Sequence, residues 1–319
     1  MGPLLNSTVR MKSKAEIINM AASVRDRLKK RCLPGGQNLN DLLIRHAIER
    51  MLFRLSESIH GQSFVVKGAI LFHLWQKIPH RITRDLDLLG LGRPTIGALI
   101  EVFRAICRHR VPSDGVVFDP DTVVAESIRS HAVRAGVRVR VQGRIGKARV
   151  PLQIDVGFGD AMAVIPEEVE FPSLLDLPRP KLRAYRMETV LAEKLEAVAT
   201  LGLLNSRMKD LFDMWHLASG YSFRGQALAD SIRATFRRRG SRVPVEMPPG
   251  LSETFWSDGN RQSLWKAFWR KSVKTDPALS LQQVVGLASS FLLPPAFAAA
   301  GNLKFQWLWR PGGPWLIEA

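Results

Sequence analysis

Apolar residues recur along this chain with two different periods, and the change between them divides it. Residues 15 to 31 (AEIINMAASVRDRLKKR) have helical spacing with charge gathering toward the C-terminal end, and Pro34-Gly35-Gly36 marks where that helix stops. From Asn38 to Ser58 a second helix is predicted, with Leu42, Leu43, Ala47, Met51 and Leu55 three or four residues apart. Phe64-Val65-Val66 then reads as a short buried strand, followed by Lys67-Gly68 and a helical stretch from Ala69 to about Gln76. A strand from Ile82 to Leu89 follows a turn at Pro79, and Gly97 to Arg110 is helical. Val137, Val139 and Val141 alternate with Arg138 and Arg140. A turn within Gly143 to Gly146 and a second strand from Arg149 to Phe158 complete a β-hairpin.

Beyond the proline-rich bridge Pro172 to Pro180 the pattern turns helical to the end. The expected fold is therefore α+β: N-terminal helices over 1–60, an α/β core with a small mixed sheet over 61–180, and a helical, basic region over 181–319. No internal repeat or low-complexity tract interrupts this.

Composition adds one unusual feature. Hydrophobic residues at 46% can fill a core, but 46 Lys and Arg against 29 acids give a net charge of +17. Such an excess draws polyanions over long range, and nucleic acid gains most because neutralised phosphates release counterions. Two cysteines, Cys32 and Cys107, suit a reducing cytoplasm and cannot form a structural zinc site unaided. The uncharged run Val284 to Gly301 is interrupted by Pro294-Pro295, whereas a spanning helix needs about 20 mostly apolar residues, so no membrane segment is expected.

The segment Arg84-Asp85-Leu86-Asp87-Leu88 carries the clearest chemistry. On a strand, Asp85 and Asp87 share one face while Leu86 and Leu88 enter the core. Two close carboxylates repel unless a cation lies between them. Magnesium, which binds one or two carboxylates together with substrate phosphates, fits such a pair; a strand with one solvated face would also carry acids. Upstream, Gly68 lets backbone approach a phosphate closely, and the helix that follows offers free N–H groups. Downstream, Asp155 in Gln153-Ile154-Asp155-Val156 is either a third carboxylate or a hairpin residue facing water.

Two later helices offer further candidates. In Met187 to Leu201, Lys194 lies beside the apolar stripe Leu191, Leu195 and Val198, with Glu193 and Glu196 on the far side. Lys194 is either a snorkelling stem or a placed ammonium for phosphate. In Ser206 to Ala218, Asp210 and Asp213 share the side opposite Met208, Leu211, Phe212 and Trp215, where Arg207–Asp210 and Lys209–Asp213 would form intrahelical ion pairs. His73 and His216 read as structural.

Taken in order, Lys67-Gly68-Ala69-Ile70-Leu71-Phe72, Arg81 to Leu89, Glu188 to Lys194, Lys209-Asp210-Leu211-Phe212-Asp213 and the ending from Phe291 to Trp315 resemble the AbiEii/AbiGii toxin family of nucleotidyltransferases. The resemblance implies a DNA polymerase β-like nucleotidyltransferase domain followed by a helical C-terminal domain, acting in a type IV toxin–antitoxin or phage-defence (abortive infection) system. It implies that Asp85 and Asp87 bind Mg2+ or Mn2+. It implies that Lys67, Gly68, Ala69 and Lys194 contact an NTP, and that Asp210 is a second essential acid. The implied acceptor is RNA, the 3′ end of tRNA, and the implied partner is a cognate antitoxin, a small DNA-binding protein. Ala69 departs from the glycine or serine usual there, which removes a hydroxyl from the phosphate grip.

Between Ser222 and Thr275, 11 Lys or Arg face 4 acids, with Arg233, Arg237, Arg238, Arg239 and Arg242 inside one ten-residue window. Such a cluster interleaved with aromatics suits RNA binding. Trp265, Phe268 and Trp269, however, have the spacing of a buried helical stripe. The competing functions are a non-catalytic RNA- or NTP-binding regulator and an enzyme that modifies a protein hydroxyl.

Overall fold

The computed structural model describes residues 14–32, 38–76, 81–92, 94–128, 136–158, 166–273 and 279–317. The expected helix stop at Pro34-Gly35-Gly36 and the turn at Pro79 lie outside these residues.

Seven strands form one mixed sheet: β1 (Phe64–Lys67), β2 (Asp85–Gly90), β3 (Val117–Ile128), β4 (Gly136–Ile145), β5 (Ala148–Phe158), β6 (Glu167–Glu170) and β7 (Lys181–Ala184). Their order is β3-β4-β5-β2-β1-β7-β6. β2 runs parallel to β5 and β1 parallel to β7; the remaining pairs are antiparallel. Alternation on the central strands sends Leu86, Leu88, Val139, Val141, Leu152 and Ile154 into the core. Packed with them are α1 (Lys14–Lys30), α2 (Leu39–Glu57) and α4 (Ile96–Arg108), whose Leu99, Phe103, Ile106 and Cys107 form one helical stripe. Asn38 and Thr95 cap α2 and α4 by accepting from the amides of Asp41 and Ala98.

The sheet is larger than the small one expected. β3 was not read because its apolar positions are sparse and Asp119-Pro120-Asp121 interrupts them, where the pairing with β4 shifts register. β6 and β7 are four-residue strands rich in charge. The strand expected from Ile82 begins only at Asp85.

After β7 come α5 (Met187–Leu201), α6 (Met208–Gly220), α7 (Gly225–Arg239), α8 (Glu253–Ser257), α9 (Gly259–Ser272) and α10 (Leu281–Ala300). They share a second core that includes Leu191, Leu195, Phe212, Ile232, Trp265, Trp269 and Phe291. This half is not purely helical, since β8 (Phe223–Arg224), β9 (Trp307–Trp309) and β10 (Trp315–Ile317) form a small antiparallel sheet. α10 also corrects the expectation of a break at Pro294-Pro295, for the helix runs through both. Pro295 cannot donate to the Phe291 carbonyl, and the Trp315 indole N–H takes that acceptor at 3.0 Å. By length and composition α10 could cross a bilayer, yet 61% of its most apolar stretch is buried within this core.

Candidate active site

The alternation that buries Leu86 and Leu88 turns Asp85 and Asp87 to the opposite face, where they line a cleft of about 1040 Å³. Sheet register extends the pair sideways. Lys67 on β1 is the partner of Asp87, and Asp155 on β5 is its partner on the other side, so one row crosses three strands. Among the described residues no hydrogen-bond donor reaches the Asp85 or Asp87 carboxylate. Burial pushes the Asp87 carboxyl above its ordinary range; Lys67 opposes this, while the negative charges of Asp155 and Asp85 add to it. Asp155 belongs to neither reading outright: it lines the same cleft, but Arg138 holds both its oxygens at 2.8 Å. Each oxygen keeps a second lone pair beside its bond to Arg138.

Gly68, expected to let the backbone approach a phosphate, also makes room for Asp87. Its φ is +74°, and a Cβ there would lie 2.1 Å from Asp87 Oδ2, well inside contact distance. The bare backbone at 68 is what lets the Asp87 carboxylate occupy its position. The helix expected from Ala69 is short, a 3-10 turn over Gly68–Leu71 followed by a single turn, α3 (Phe72–Trp75). It therefore offers less of an aligned dipole than anticipated.

Lys194 on α5 is a placed ammonium. Its Nζ donates to Asp210 Oδ1 and to Asp213 Oδ2, both at 2.8 Å. Asp213 accepts two further bonds from Arg81 at 2.7 Å, and Arg207 pairs with Asp210 at 2.6 Å. Burial alone would lower the Lys194 pKa, but Asp210 and Asp213 outweigh it and raise it. For Asp210 burial works against ionisation, and Lys194 with Arg207 reverses that to hold its carboxyl below the usual range. The aspartates were expected on the outer side of α6; they are 2% and 0% exposed, because α6 packs its polar side on α5. The expected Arg207–Asp210 pair forms, whereas Asp213 bonds Arg81 and Lys194 in place of Lys209. Arg81 entered the sequence reading only within a motif, and Asp213 only within a motif and as an ion-pair partner of Lys209, yet both reach the site.

Glu193 and Glu196, expected on the far side of α5 from its apolar stripe, meet cations there. Glu193 faces Lys67 at 3.4 Å, Arg238, Arg239 at 3.4 Å and the Tyr185 hydroxyl at 3.2 Å. Glu196 accepts from Arg239, from Ser241 Oγ at 3.0 Å and from Thr200 Oγ1 at 3.1 Å. Burial would raise the Glu193 carboxyl, but these cations, led by Lys67, hold it far below the usual range. The arginine cluster expected to suit RNA binding is divided accordingly between pairs inside the protein and solvent. Arg238 is buried and bonds Tyr185 and Glu193, Arg239 is tied to the two glutamates, and Arg233 donates to the Ala299 carbonyl at 3.2 Å. Arg237 and Arg242 are exposed. Trp265 and Trp269 are buried, while Phe268, partly buried, lines the cleft. His216 sits among Phe72, Phe212 and Trp215.

Residues 50–301 match the family model described as nucleotidyl transferase AbiEii toxin, type IV TA system. No curated protein matches the chain. Among solved structures, JHP933 from Helicobacter pylori overlaps with a TM-score of 0.41 at 14% identity, covering 82% of this chain and 93% of that one. A second H. pylori structure, provisionally described as a nucleotidyltransferase, overlaps at 0.40 and 15%, covering 84% and 97%. Overlaps of that size carry no argument about fold or function.

Proposed function

Because the chain belongs to the AbiEii family of nucleotidyl transferase toxins of type IV toxin–antitoxin systems, we propose that it transfers a nucleotidyl group from an NTP to the 3′ end of an RNA, with tRNA the acceptor the family resemblance implies. The acceptor hydroxyl oxygen bonds to the α-phosphorus, the bond to the bridging oxygen of the β-phosphate breaks, pyrophosphate leaves, and the hydroxyl proton passes to water. The observation that carries this reading is the shared cleft: the Asp85–Asp87 face of the sheet opens onto the same space as Lys194 and Asp210.

The donor set suits magnesium or manganese. Among the described residues no group of three or more His, Cys, Asp or Glu gathers to hold a metal ion, so the cleft offers a carboxylate pair. Asp85 and Asp87, among the described residues, offer two carboxylates free of protein donors, the number Mg2+ takes when phosphate and water supply the rest. When bound, the ion supplies charge neutralisation at the transferring phosphate. Asp85 and Asp87 would hold it. Gly68 keeps Asp87 in place, and Lys67 and Lys194 present ammonium groups to the phosphates. Asp210 fixes Lys194. No histidine of the motifs is needed as a base.

In this reading the protein acts in the cytoplasm, in toxin–antitoxin or phage defence, and a cognate antitoxin neutralises it. Incubation of the purified protein with each labelled NTP, Mg2+ and either total RNA or protein extract tests the reaction. Label is expected at RNA 3′ ends. Label in protein would move the acceptor to a protein hydroxyl, and no label in either would leave an NTP- or RNA-binding regulator.

A further inference from the structure

One wall of the cleft gathers three cations around two carboxylates, with Asp87 beside Lys67. Lys67, Arg238 and Arg239 converge on Glu193, with Glu196 taking a second bond from Arg239. Three cations thus meet two carboxylates. The Arg238 Nε is buried with no hydrogen-bond partner among the described residues, and its side chain is 4% exposed against 24% for Arg239. Ser241, just past the end of α7, adds a hydroxyl on the same wall. Lys67 joins this wall directly to the reaction centre, because it is the sheet partner of Asp87.

A recessed cationic pocket suits a small polyanion better than a nucleic-acid backbone, which needs cations standing clear of the surface. An arginine fork matches phosphate oxygens two at a time, and a compact ammonium adds point charge. We infer that Lys67 and Arg239 form the subsite for the β- and γ-phosphates, with Arg238 and Glu193 as positioning residues that hold the two cations ready. The inference deepens the proposed nucleotidyl transfer and rests on it: the same wall takes the tail of the entering NTP and the departing pyrophosphate. It reassigns Arg239 from RNA contact to triphosphate contact.

Kinetics of Arg239→Gln and Arg239→Lys beside the wild type test this, with NTP and acceptor RNA varied separately and inorganic pyrophosphate as inhibitor. Loss of a charge-assisted phosphate contact raises the KM for NTP about 10- to 100-fold in Arg239→Gln. The KM for RNA stays put, and kcat at saturating NTP changes far less than kcat/KM. Pyrophosphate competes with NTP in the wild type and weakens in parallel, and Arg239→Lys recovers part of the loss. A rise in the RNA KM with the NTP KM unmoved would overturn the assignment and restore the RNA role. A fall in melting temperature and kcat with both KM values unmoved would reduce Arg239 to structure. Should the wild type bind NTP while both variants bind it equally well, only this inference fails. Should the wild type bind neither NTP nor pyrophosphate, the nucleotidyl-transfer reading fails with it.

Discussion

The Asp87 carboxylate rests against the backbone of Gly68 so closely that no side chain fits between them. Gly68→Ala must therefore both hold a Cβ at a left-handed φ of +74° and displace the carboxylate. A shift of about 1 Å in a reacting group costs on the order of 100-fold in rate. Transfer by Gly68→Ala is expected to fall by about that factor, while the strained φ lowers stability by only about 1–2 kcal/mol. Parallel assays of transfer and thermal unfolding separate the two; near-normal transfer would show that Asp87 need not sit where it does. At this scale the carboxylate pair was legible, because strand alternation alone fixes the faces of Asp85 and Asp87. The partners were not. Arg81 and Asp213 lie 132 positions apart, and Lys67 and Glu193 lie 126 apart, and no period in a sequence links residues at such distances.

Among the elements, α2 shows how much a helical pattern leaves unsaid. Its apolar repeat predicted the helix, but every residue from Asp41 to Leu55 is buried, the polar ones included. Arg54 grips Asp114 through two bonds, and Glu49 accepts from Arg45 and from the Leu174 amide. Deep in this network the neutral His46 ring contacts the Asp114 carbonyl at 3.1 Å. Burial lowers its pKa to about 4, and the positive charges of Arg50 and Arg27 add to that, against the opposing hydrogen bond and charge of Asp114. A folded-state value below the unfolded one means that the unfolded chain binds the proton first. The stability from keeping His46 neutral is thus complete above about pH 6.5 and is lost as pH falls toward 4. The loss amounts to at most about 3 kcal/mol. Denaturant unfolding between pH 7 and 5 is expected to show this slope, and His46→Gln to flatten it; an unchanged slope in the variant would place the titration elsewhere. Helices such as α4 and the β4–β5 hairpin were readable because one face is wet and the other dry. β3, β6 and β7 were missed because short, charged or bulged strands draw their stability from neighbours rather than from their own pattern.

For the whole molecule, the order of motifs was readable and the closing of the cleft was not. Helices α5, α6 and α7 bring Lys194, Asp210 and the Glu193–arginine wall over the sheet face that carries Asp85 and Asp87. Six of the basic residues pair inside with Asp210, Asp213, Glu193 and Glu196, while the net charge of +17 stays. What the molecule assembles is a cation-lined cleft with two uncommitted carboxylates at its floor. The most direct test of that centre is transfer of labelled nucleotide to RNA by Asp87→Asn beside the wild type, with thermal unfolding of both. The substitution keeps the shape and removes the charge. The account predicts that the variant folds as the wild type does and transfers nothing measurable, whereas transfer at the wild-type rate by the folded variant would contradict it.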